Sequence, residues 1–302
     1  MNITNLTEIV VRAEDNADDL HKKAEIAAFL GTVQSKLTDF PYLRKIWKKN
    51  TEEERLLGVS MTGIYDTPIT YTIDTDTALM LETLRDTVVQ TNVKWANRLG
   101  IPVSTATTCI KPSGTVSQLT NTASGIHPRY AKRYLRTVRS SNNDPMTQFL
   151  KEAGIPHEPA LGDPENTTVF TFVQEAPEDA KTRHDVSTLD HLKLWLQYQR
   201  HWCEHKPSAT INVRDGEWIK VGAFVYDNFD EMTGVSFLPY DGGTYKQAPY
   251  QEVDKETIEK YTGKMPSELN WSKLSEYELE DSTAGNQSYA CSSGSCELVD
   301  LT

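Results

Sequence analysis

The stretch VSTATTCIKPSGTVS, residues 103–117, decides the fold. Its first part, residues 103–110, is rich in β-branched residues, which favour an extended strand. A glycine turn follows at Gly114, and the start of a helix is expected directly after it. A strand that passes through a short turn into a helix is the unit from which parallel α/β sheets are built.

The chain on both sides of this stretch repeats the same alternation. Strands are expected over residues 5–12, 167–174 and 208–213, and a further short apolar run covers residues 56–61. Helices are expected from about Asn16, over residues 77–99 and over residues 187–205. The sequence therefore predicts an α/β fold with a largely parallel sheet.

The first two of these helices carry apolar stripes at helical spacing. In the helix over residues 77–99 the stripe contains Leu81, Leu84, Val88 and Trp95, and Gly100 and Pro102 close the helix. In the helix that begins near Asn16 the stripe contains Ile26, Phe29, Leu30, Val33 and Leu37. We expect both stripes to face the core.

Composition sets the class of protein. The 302 residues include 43 Asp and Glu against 31 Lys and Arg, a formal charge of −12. The length suits one large domain or two modest ones. No apolar run approaches the length of a membrane span, and the N-terminus lacks the pattern of a secretory signal, so a soluble, cytoplasmic protein is expected. Four cysteines are too few for a disulfide framework. Any cysteine with a chemical role is therefore expected to be catalytic or redox-active.

Acidic residues are absent from residues 87–143, a window of 57 residues that contains eight Lys and Arg. The window carries a charge of +8 and the remainder −20. Positive charge gathered in one segment of an acidic protein suits a small polyanionic ligand, whereas bulk nucleic acid is a poorer fit. The alternative is that these bases pair with acidic neighbours elsewhere in the fold.

The turn inside this window is the first candidate site. Glycine permits close approach of a ligand to the backbone, hydroxyls offer donors, and amides at the start of a helix point at any anion placed there. The segment lacks the glycines and the Gly-Lys of a Walker A loop, and an ordinary turn remains the alternative. The predicted anion-binding residues are Pro112, Ser113, Gly114, Thr115, Val116 and Ser117.

The second candidate site is a pair of cysteines near the C-terminus. From about Trp271 the chain becomes rich in Ser, Glu, Asp and Gly, so we predict a main domain over residues 1–270 and a mobile tail over residues 271–302. Cys291 and Cys296 enclose four small residues, a spacing that allows a disulfide. A redox shuttle is the favoured interpretation. The alternatives are incidental exposed cysteines and half of a zinc site. A zinc site would need two more ligands, and apart from this pair no His or Cys follows residue 205.

Other histidines and cysteines are expected to be structural. His201 and His205 could share a helix face, but no third metal ligand lies nearby in the sequence, so no metal site is predicted. Cys203 stands beside Trp202 and Cys109 lies in an expected strand. Packing is favoured for both, and a nucleophilic role is the alternative for Cys109.

Six segments taken together resemble a known family. In chain order they are NLTEIVVR, RLLGVSMTGI, ATTCIKPSGTVSQL, SGIHPRYAKRYLRTVR, HWCEHKPSATINV and CSSGSC. This set resembles the C-terminal portion of a ribonucleotide reductase large chain, and the adenosylcobalamin-dependent (class II) type in particular, of the monomeric ribonucleoside-triphosphate kind. Class I chains carry an adjacent tyrosine pair and class III chains end in a glycyl-radical motif. This sequence has neither feature.

The resemblance implies a fold and a set of roles. The fold would be the C-terminal part of a ten-stranded α/β barrel, with residues 112–117 around the phosphates of a nucleoside tri- or diphosphate substrate. Cys291 and Cys296 would re-reduce an active-site disulfide and would themselves be reduced by a thioredoxin-like protein. The implied cofactor is adenosylcobalamin, which generates the radical.

Three features of the family pattern are missing. The Asn-x-Cys-x-Glu set with the radical cysteine does not occur in this sequence, and Thr4 stands where the family has a redox cysteine. The N-terminal allosteric region is missing as well. We therefore expect a C-terminal part that is completed by a separate N-terminal chain or by splicing. The alternative is a catalytically silent nucleotide-binding fragment.

Overall fold

The computed structural model describes residues 2–240 and 246–278. The chain divides into two compact units. Unit 1 comprises residues 1–129 and 177–240, and unit 2 comprises residues 130–176 and 241–302. Within the described ranges, no helix is both long enough and apolar enough to cross a bilayer.

Unit 1 alternates strands with helices. Its elements are β1 (Asn5–Val10), α1 (Ala17–Gln34), α2 (Lys45–Glu54), β2 (Leu57–Thr62), α3 (Pro68–Tyr71), α4 (Thr75–Leu99), α5 (Val116–Leu119), α7 (Thr188–His201), β6 (Ala209–Val213), α8 (Trp218–Asp227) and β7 (Val235–Pro239). Short 3₁₀ helices cover Ile64–Asp66 and Phe229–Glu231.

The strands of unit 1 run parallel. β1 pairs with β2, and β6 pairs with β7. Residues 106–110 link the two pairs, because Thr108 bridges Val59 of β2 and Ile110 bridges Pro207, just before β6. The strand expected over residues 103–110 is therefore reduced to these parallel bridges. Five parallel segments follow one another in chain order in this part of the structure.

The two faces of this parallel series differ in polarity. Side chains alternate along a strand, so Ile9, Val59 and Ile110 point to the face where the core lies. Glu8, Ser60 and Cys109 occupy alternate positions and point the other way. Parallel sheets normally bury apolar side chains on both faces, so the polar second face is suited to a site.

The apolar stripe expected to face the core in α1 was assigned wrongly. Ile26 is 59% exposed and Leu37, just past the helix, 73% exposed, and Leu30 and Val33 are also exposed. Only Phe29 packs, against Trp95 of α4 with ring centroids 4.4 Å apart. The helix instead buries small residues that allow a close approach to the strands, namely Ala24, Ala27, Ala28 and Gly31.

The termini of α4 and α7 are close to those expected. Asp74 caps α4 by accepting a hydrogen bond from the backbone N–H of Thr77, and Gly100 ends it at φ 65°. Leu81, Leu84 and Val88 are buried as expected. Ser187 caps α7 in the same manner.

Unit 2 is built on an antiparallel sheet. Its elements are β3 (Arg133–Ser141), α6 (Pro145–Glu152), β4 (His157–Pro159), β5 (Thr167–Glu175), β8 (Tyr250–Glu252), α9 (Lys255–Thr262) and a 3₁₀ helix (Trp271–Glu276). The strand order is β4-β5-β3-β8. The prediction of a largely parallel sheet thus holds for unit 1 and is wrong for unit 2. The sheets of the described residues are small and open, so the ten-stranded barrel stays a prediction.

Residues 271–278 pack against α6. The ring of Trp271 lies 5.4 Å from that of Phe149, and the Tyr277 hydroxyl donates to Glu152 Oε2 at 2.6 Å. The predicted boundary at residue 270 stays a prediction, because residues 279–302 lie outside the described part of the chain.

A buried ion pair fixes the chain where it returns from the predicted anion-binding loop. Arg129 donates from Nε to Asp66 Oδ1 at 2.8 Å and from Nη2 to Oδ2 at 2.9 Å. Both side chains are almost fully buried, at 1% and 3% exposed. Asp66 also accepts from the backbone N–H of Ala123, and Arg129 donates to the side chain of Asn121. The pair therefore ties residues 121–129 to the end of β2.

We expect Asp66→Ala to lower the free energy of unfolding of unit 1 by about 3–5 kcal/mol, because it leaves the Arg129 charge buried without a partner. Urea denaturation followed by tryptophan fluorescence measures the loss. The matched control is Arg200→Ala, which removes the exposed pair with Glu231 and should cost much less. Equal losses in both variants would contradict the role assigned to the buried pair.

Candidate functional site

The predicted anion-binding loop lies at the carboxyl end of the central parallel segment. The backbone N–H of Lys111 donates to Ser60 Oγ at 2.9 Å, which fixes the start of the loop to β2. The backbone N–H of Ser113 donates to Ser124 Oγ at 3.0 Å, which fixes it to the returning chain. The loop is thus held on two sides over the ends of the strands.

A glycine allows this close packing. Gly125 has φ 56°, and a Cβ placed there would lie 2.5 Å from the backbone oxygen of Lys111. Any side chain at this position would combine backbone strain with a clash against main-chain atoms. Residue 125 must therefore be glycine for the returning chain to support the loop.

The Ser113 hydroxyl is at the centre of the loop. The side chain is buried and donates a hydrogen bond to Glu8 Oε2 at 2.8 Å. Its oxygen also accepts from the backbone N–H of Ser117 at 3.1 Å. Ser117, likewise buried, donates its own hydroxyl to the backbone oxygen of Ser113. Two of the three hydroxyls expected to serve as donors to a ligand are therefore engaged within the protein.

The free donors of the loop are the backbone amides between these two serines. In the described part of the chain, the N–H groups of Gly114, Thr115 and Val116 have no protein acceptor. The Thr115 side chain is exposed and makes no capping bond to α5. Consecutive free amides around a turn form an anion-binding concavity. The amides of residues 114–116 are therefore candidate anion-binding donors, with Ser113 and Ser117 holding the turn and Pro112 leading into it.

Two titratable groups lie on the polar face near the loop. Burial raises the pKa of the Glu8 carboxyl, and the hydrogen bond from Ser113 partly offsets this effect. Burial raises the pKa of the Cys109 thiol to about 12, with Lys111 lowering it and Glu8 raising it. Because the thiolate is the nucleophile, Cys109 is unreactive at neutral pH in this state. Packing is therefore the better interpretation of Cys109.

Several bases of the cationic window have partners within their own unit. Arg129 is paired with Asp66, and Arg133, in unit 2, is paired with Glu175. The Arg136 guanidinium stacks over the ring of Tyr250, also within unit 2. Lys111 is the member of the window that stands at the loop, and it is exposed. Pairing with acidic neighbours, the alternative in the sequence analysis, accounts for Arg129 and Arg133.

The histidines singled out in the sequence are structural. His201 Nδ1 bonds Glu82 Oε1 at 2.8 Å, and His205 Nε2 donates to the backbone oxygen of Leu57 at 2.6 Å. Burial raises the pKa of Cys203 well above its usual value. Across the residues that the structure describes, no group of three or more His, Cys, Asp or Glu could hold a metal ion.

Sequence reasoning missed a buried histidine pair behind the returning chain. His127 Nε2 accepts from the backbone N–H of Thr210 at 3.0 Å, so its Nδ1 carries the proton donated to Ser124 O. His191 Nε2 donates to Ile126 O. Burial lowers the pKa of both, that of His191 to about 3. Both rings are neutral supports of residues 124–127, a role without a signature in the sequence.

The predicted cysteine pair cannot be placed. Cys291 and Cys296 lie outside the described residues. Their shuttle role stays a prediction.

Known proteins provide the comparison for this site. No protein-family model matches the chain. An adenosylcobalamin-dependent ribonucleoside-triphosphate reductase of Lactobacillus delbrueckii subsp. bulgaricus is 29% identical, over 95% of this chain and 42% of the relative. The protein of the same description from Euglena gracilis is 28% identical, over 83% of this chain and 35% of its own length. The crystal structure of a B12-dependent (class II) ribonucleotide reductase superposes with a TM-score of 0.74 and 25% identity. That match covers 92% of this chain and 42% of the solved chain.

The chain is similar to the class II ribonucleotide reductases over most of its length. The resemblance seen in the sequence is thereby confirmed, and so is the α/β character of the fold. The chain spans about two fifths of the length of the class II reductases that it matches. Part of the fold and function of a whole reductase must therefore lie in residues that this chain does not contain.

The hydroxyls of Ser113 and Thr115 should differ in how much they stabilise the loop. Ser113→Ala leaves the Glu8 carboxylate and the Ser117 amide without their partner, so we expect a loss of about 1–3 kcal/mol in the free energy of unfolding. Thr115→Ala removes an exposed side chain and should change stability by less than about 0.5 kcal/mol. Denaturant unfolding of both variants measures the difference. Equal stability of the two variants would show that Ser113 does not hold the loop.

Proposed function

We propose that this chain is the C-terminal section of a class II ribonucleotide reductase and contributes to the reduction of ribonucleoside tri- or diphosphates to deoxyribonucleotides. The similarity to class II reductases over nearly the whole chain supports the reaction class. The structure supports a division of roles within the chain, which the following paragraphs derive.

The observation that carries the proposal is the row of free amides at residues 114–116. In α/β folds, ligands bind beyond the carboxyl ends of parallel strands, and this loop follows such an end at Ile110. The amides of Gly114, Thr115 and Val116 and the hydroxyl of Thr115 would bind the substrate phosphates. Ser113 and Ser117 would hold the turn in the conformation that presents those donors, and Pro112 would restrict its entry.

The parallel series of unit 1 supports a barrel in the assembled enzyme. Within the described residues, its five segments end at β1 on one side and at β7 on the other, and exposed sheet edges are usually paired or covered. Its second face is polar. A ten-stranded barrel would pair both edges and enclose the polar face, with the remainder of the reductase supplying the other strands.

A separate N-terminal part is the proposed partner. The radical cysteine of the Asn-x-Cys-x-Glu set is not in this sequence, and Thr4 provides no thiol. Thr4 Cγ2 and Cys109 Sγ would both lie close to a Cβ built at Gly58, at 3.2 and 3.1 Å, so Thr4 faces the polar side of the strands. The partner would supply the radical cysteine next to this face.

The proposed cofactor is adenosylcobalamin, named in the description of the relatives. When bound, it supplies the radical that protein side chains cannot generate. Among the described histidines, His127, His191 and His205 each engage a backbone group, so these three are not free to bind its cobalt. We therefore assign the cofactor to the assembled enzyme and no residue of this chain to its cobalt.

Cys291 and Cys296 would complete each turnover. Ribose reduction would oxidise two thiols of the active site to a disulfide, and because Thr4 provides no thiol, both would have to come from the N-terminal part. The dithiol of Cys291 and Cys296 would reduce that disulfide with two electrons and two protons. The two cysteines would then form a disulfide, which a thioredoxin-like dithiol reduces in turn.

A catalytically silent nucleotide-binding fragment is the second candidate. Thr4 in place of a redox cysteine and the missing Asn-x-Cys-x-Glu set favour it. Such a fragment would keep the loop and bind nucleotide without chemistry.

Reconstitution distinguishes the two candidates. The purified chain is mixed with an N-terminal reductase part that carries the Asn-x-Cys-x-Glu set, with adenosylcobalamin, a ribonucleoside triphosphate and reduced thioredoxin. We expect deoxynucleotide formation that requires both parts. A complex that assembles, as shown by sedimentation, yet stays inactive would support the silent fragment.

The same mixture tests the tail. Cys291→Ser and Cys296→Ser should each abolish turnover with thioredoxin, whereas a small dithiol that reaches the active site directly should still sustain it. Ser292→Ala, between the two cysteines, is the control and should keep both activities. Equal loss with both reductants would contradict the shuttle.

A further inference from the structure

Glu8 occupies an unexpected position beneath a loop that we assign to phosphate. Its carboxylate accepts a hydrogen bond from the hydroxyl of Ser113 at 2.8 Å, and Ser113 immediately precedes the free amides of residues 114–116. An ionised carboxylate close to a phosphate would repel it, and the repulsion is strong where water is largely excluded. Glu8 is half-buried, so solvent screens this charge only in part.

The hydrogen bonds around Ser113 depend on the charge of Glu8. With Glu8 ionised, the single proton of the Ser113 hydroxyl points to the carboxylate, while the oxygen accepts from the Ser117 amide. With Glu8 protonated, the carboxylic acid can donate to the Ser113 oxygen, which has two lone pairs and still accepts from Ser117. The Ser113 proton is then free to turn towards a ligand in the loop.

We propose that Glu8 couples phosphate binding in this loop to the uptake of one proton from solvent. Glu8 acts as a positioning residue, because its protonation reorients the Ser113 hydroxyl from the carboxylate to a phosphate oxygen. No covalent bond to the ligand forms: the proton adds to a Glu8 oxygen, the hydrogen bond between Glu8 and Ser113 reverses direction, and the Ser113 hydroxyl donates a new bond to the phosphate. This inference rests on the proposed function of the loop and adds its regulation by pH.

Both Glu8 and Lys111 interact electrostatically with Cys109. Lys111 lies on the loop itself and Cys109 lies on the adjacent segment, with its thiol protonated at neutral pH. Arg12, beyond the end of β1, donates to the backbone oxygen of Thr120. Ser60, the register partner of Glu8 in β2, is neutral. Burial already raises the pKa of Glu8 in the empty loop, which favours its protonated form.

The direction of the pH effect follows from linkage. A bound phosphate disfavours the ionised carboxylate further, so the pKa of Glu8 is higher in the complex than in the empty loop. Between those two pKa values the complex holds more protons than the free protein. Affinity therefore falls as pH rises through that interval, by at most about tenfold per pH unit for one proton.

Titration calorimetry of the full chain with inorganic triphosphate tests this proposal. Experiments at one pH in two buffers of different ionisation heat count the protons taken up. We expect wild-type protein to take up more protons than Glu8→Gln, whose amide can both accept from and donate to Ser113. Protons taken up by the triphosphate itself are counted with both proteins, so they cancel when the proton count of Glu8→Gln is subtracted from that of wild type. Affinity of Glu8→Gln at pH 8 should be about tenfold higher than that of wild type, with a shallower pH dependence.

Two further variants make the outcomes distinct. Glu25→Gln removes an exposed carboxylate of α1 and should keep the wild-type proton count. Thr115→Ala should weaken triphosphate binding about fivefold, as a lost bond to a charged group would. If Thr115→Ala weakens binding and Glu8→Gln leaves the proton count unchanged, the role of Glu8 is wrong and the loop assignment stands. If triphosphate does not bind, or binds equally to Thr115→Ala, the loop assignment is wrong and the coupling is wrong with it.

Discussion

The hydrogen bond between the Ser113 hydroxyl and Glu8 holds the loop of residues 111–117 over the ends of the parallel strands. The Ser113 oxygen in turn receives the Ser117 amide, and this second bond closes the turn. With both ends of the turn engaged, the amides of residues 114–116 remain without an internal acceptor within the described structure. Free donors are costly unless water or a ligand meets them, so this arrangement favours an anion at the surface of the loop.

The parallel series of unit 1 has one apolar face and one more polar face. Parallel strands are stable when both faces are covered, and here helices α1, α4 and α7 contribute to the core on one face. The other face presents Glu8, Ser60 and Cys109. These side chains contribute little apolar surface for packing. They offer hydrogen-bonding groups of the kind that a binding site uses. The relatives, more than twice as long, are consistent with additional structure opposite this face.

Local signals made part of the fold predictable, and long-range packing decided the rest. Asn16 and Gly100 marked helix ends because capping depends on near neighbours in sequence. The apolar stripe of α1 led to a wrong prediction because α1 packs closely on the strands, and only small residues such as Ala28 fit there. The spacing of apolar residues does not show which face of a helix lies against a sheet. The loop was found from its composition. The partner of Ser113 was not, because Glu8 lies 105 residues away and has no motif of its own.

Hydrogen exchange at single amides tests the central claim most directly. The full chain is exchanged into deuterated buffer with and without saturating inorganic triphosphate, and the rates of Gly114, Thr115 and Val116 are read by NMR. The account predicts that these three amides exchange at least about tenfold more slowly in the complex, while Ser117, already bonded to Ser113, changes little. Saturable binding that leaves the exchange of residues 114–116 unchanged would contradict it.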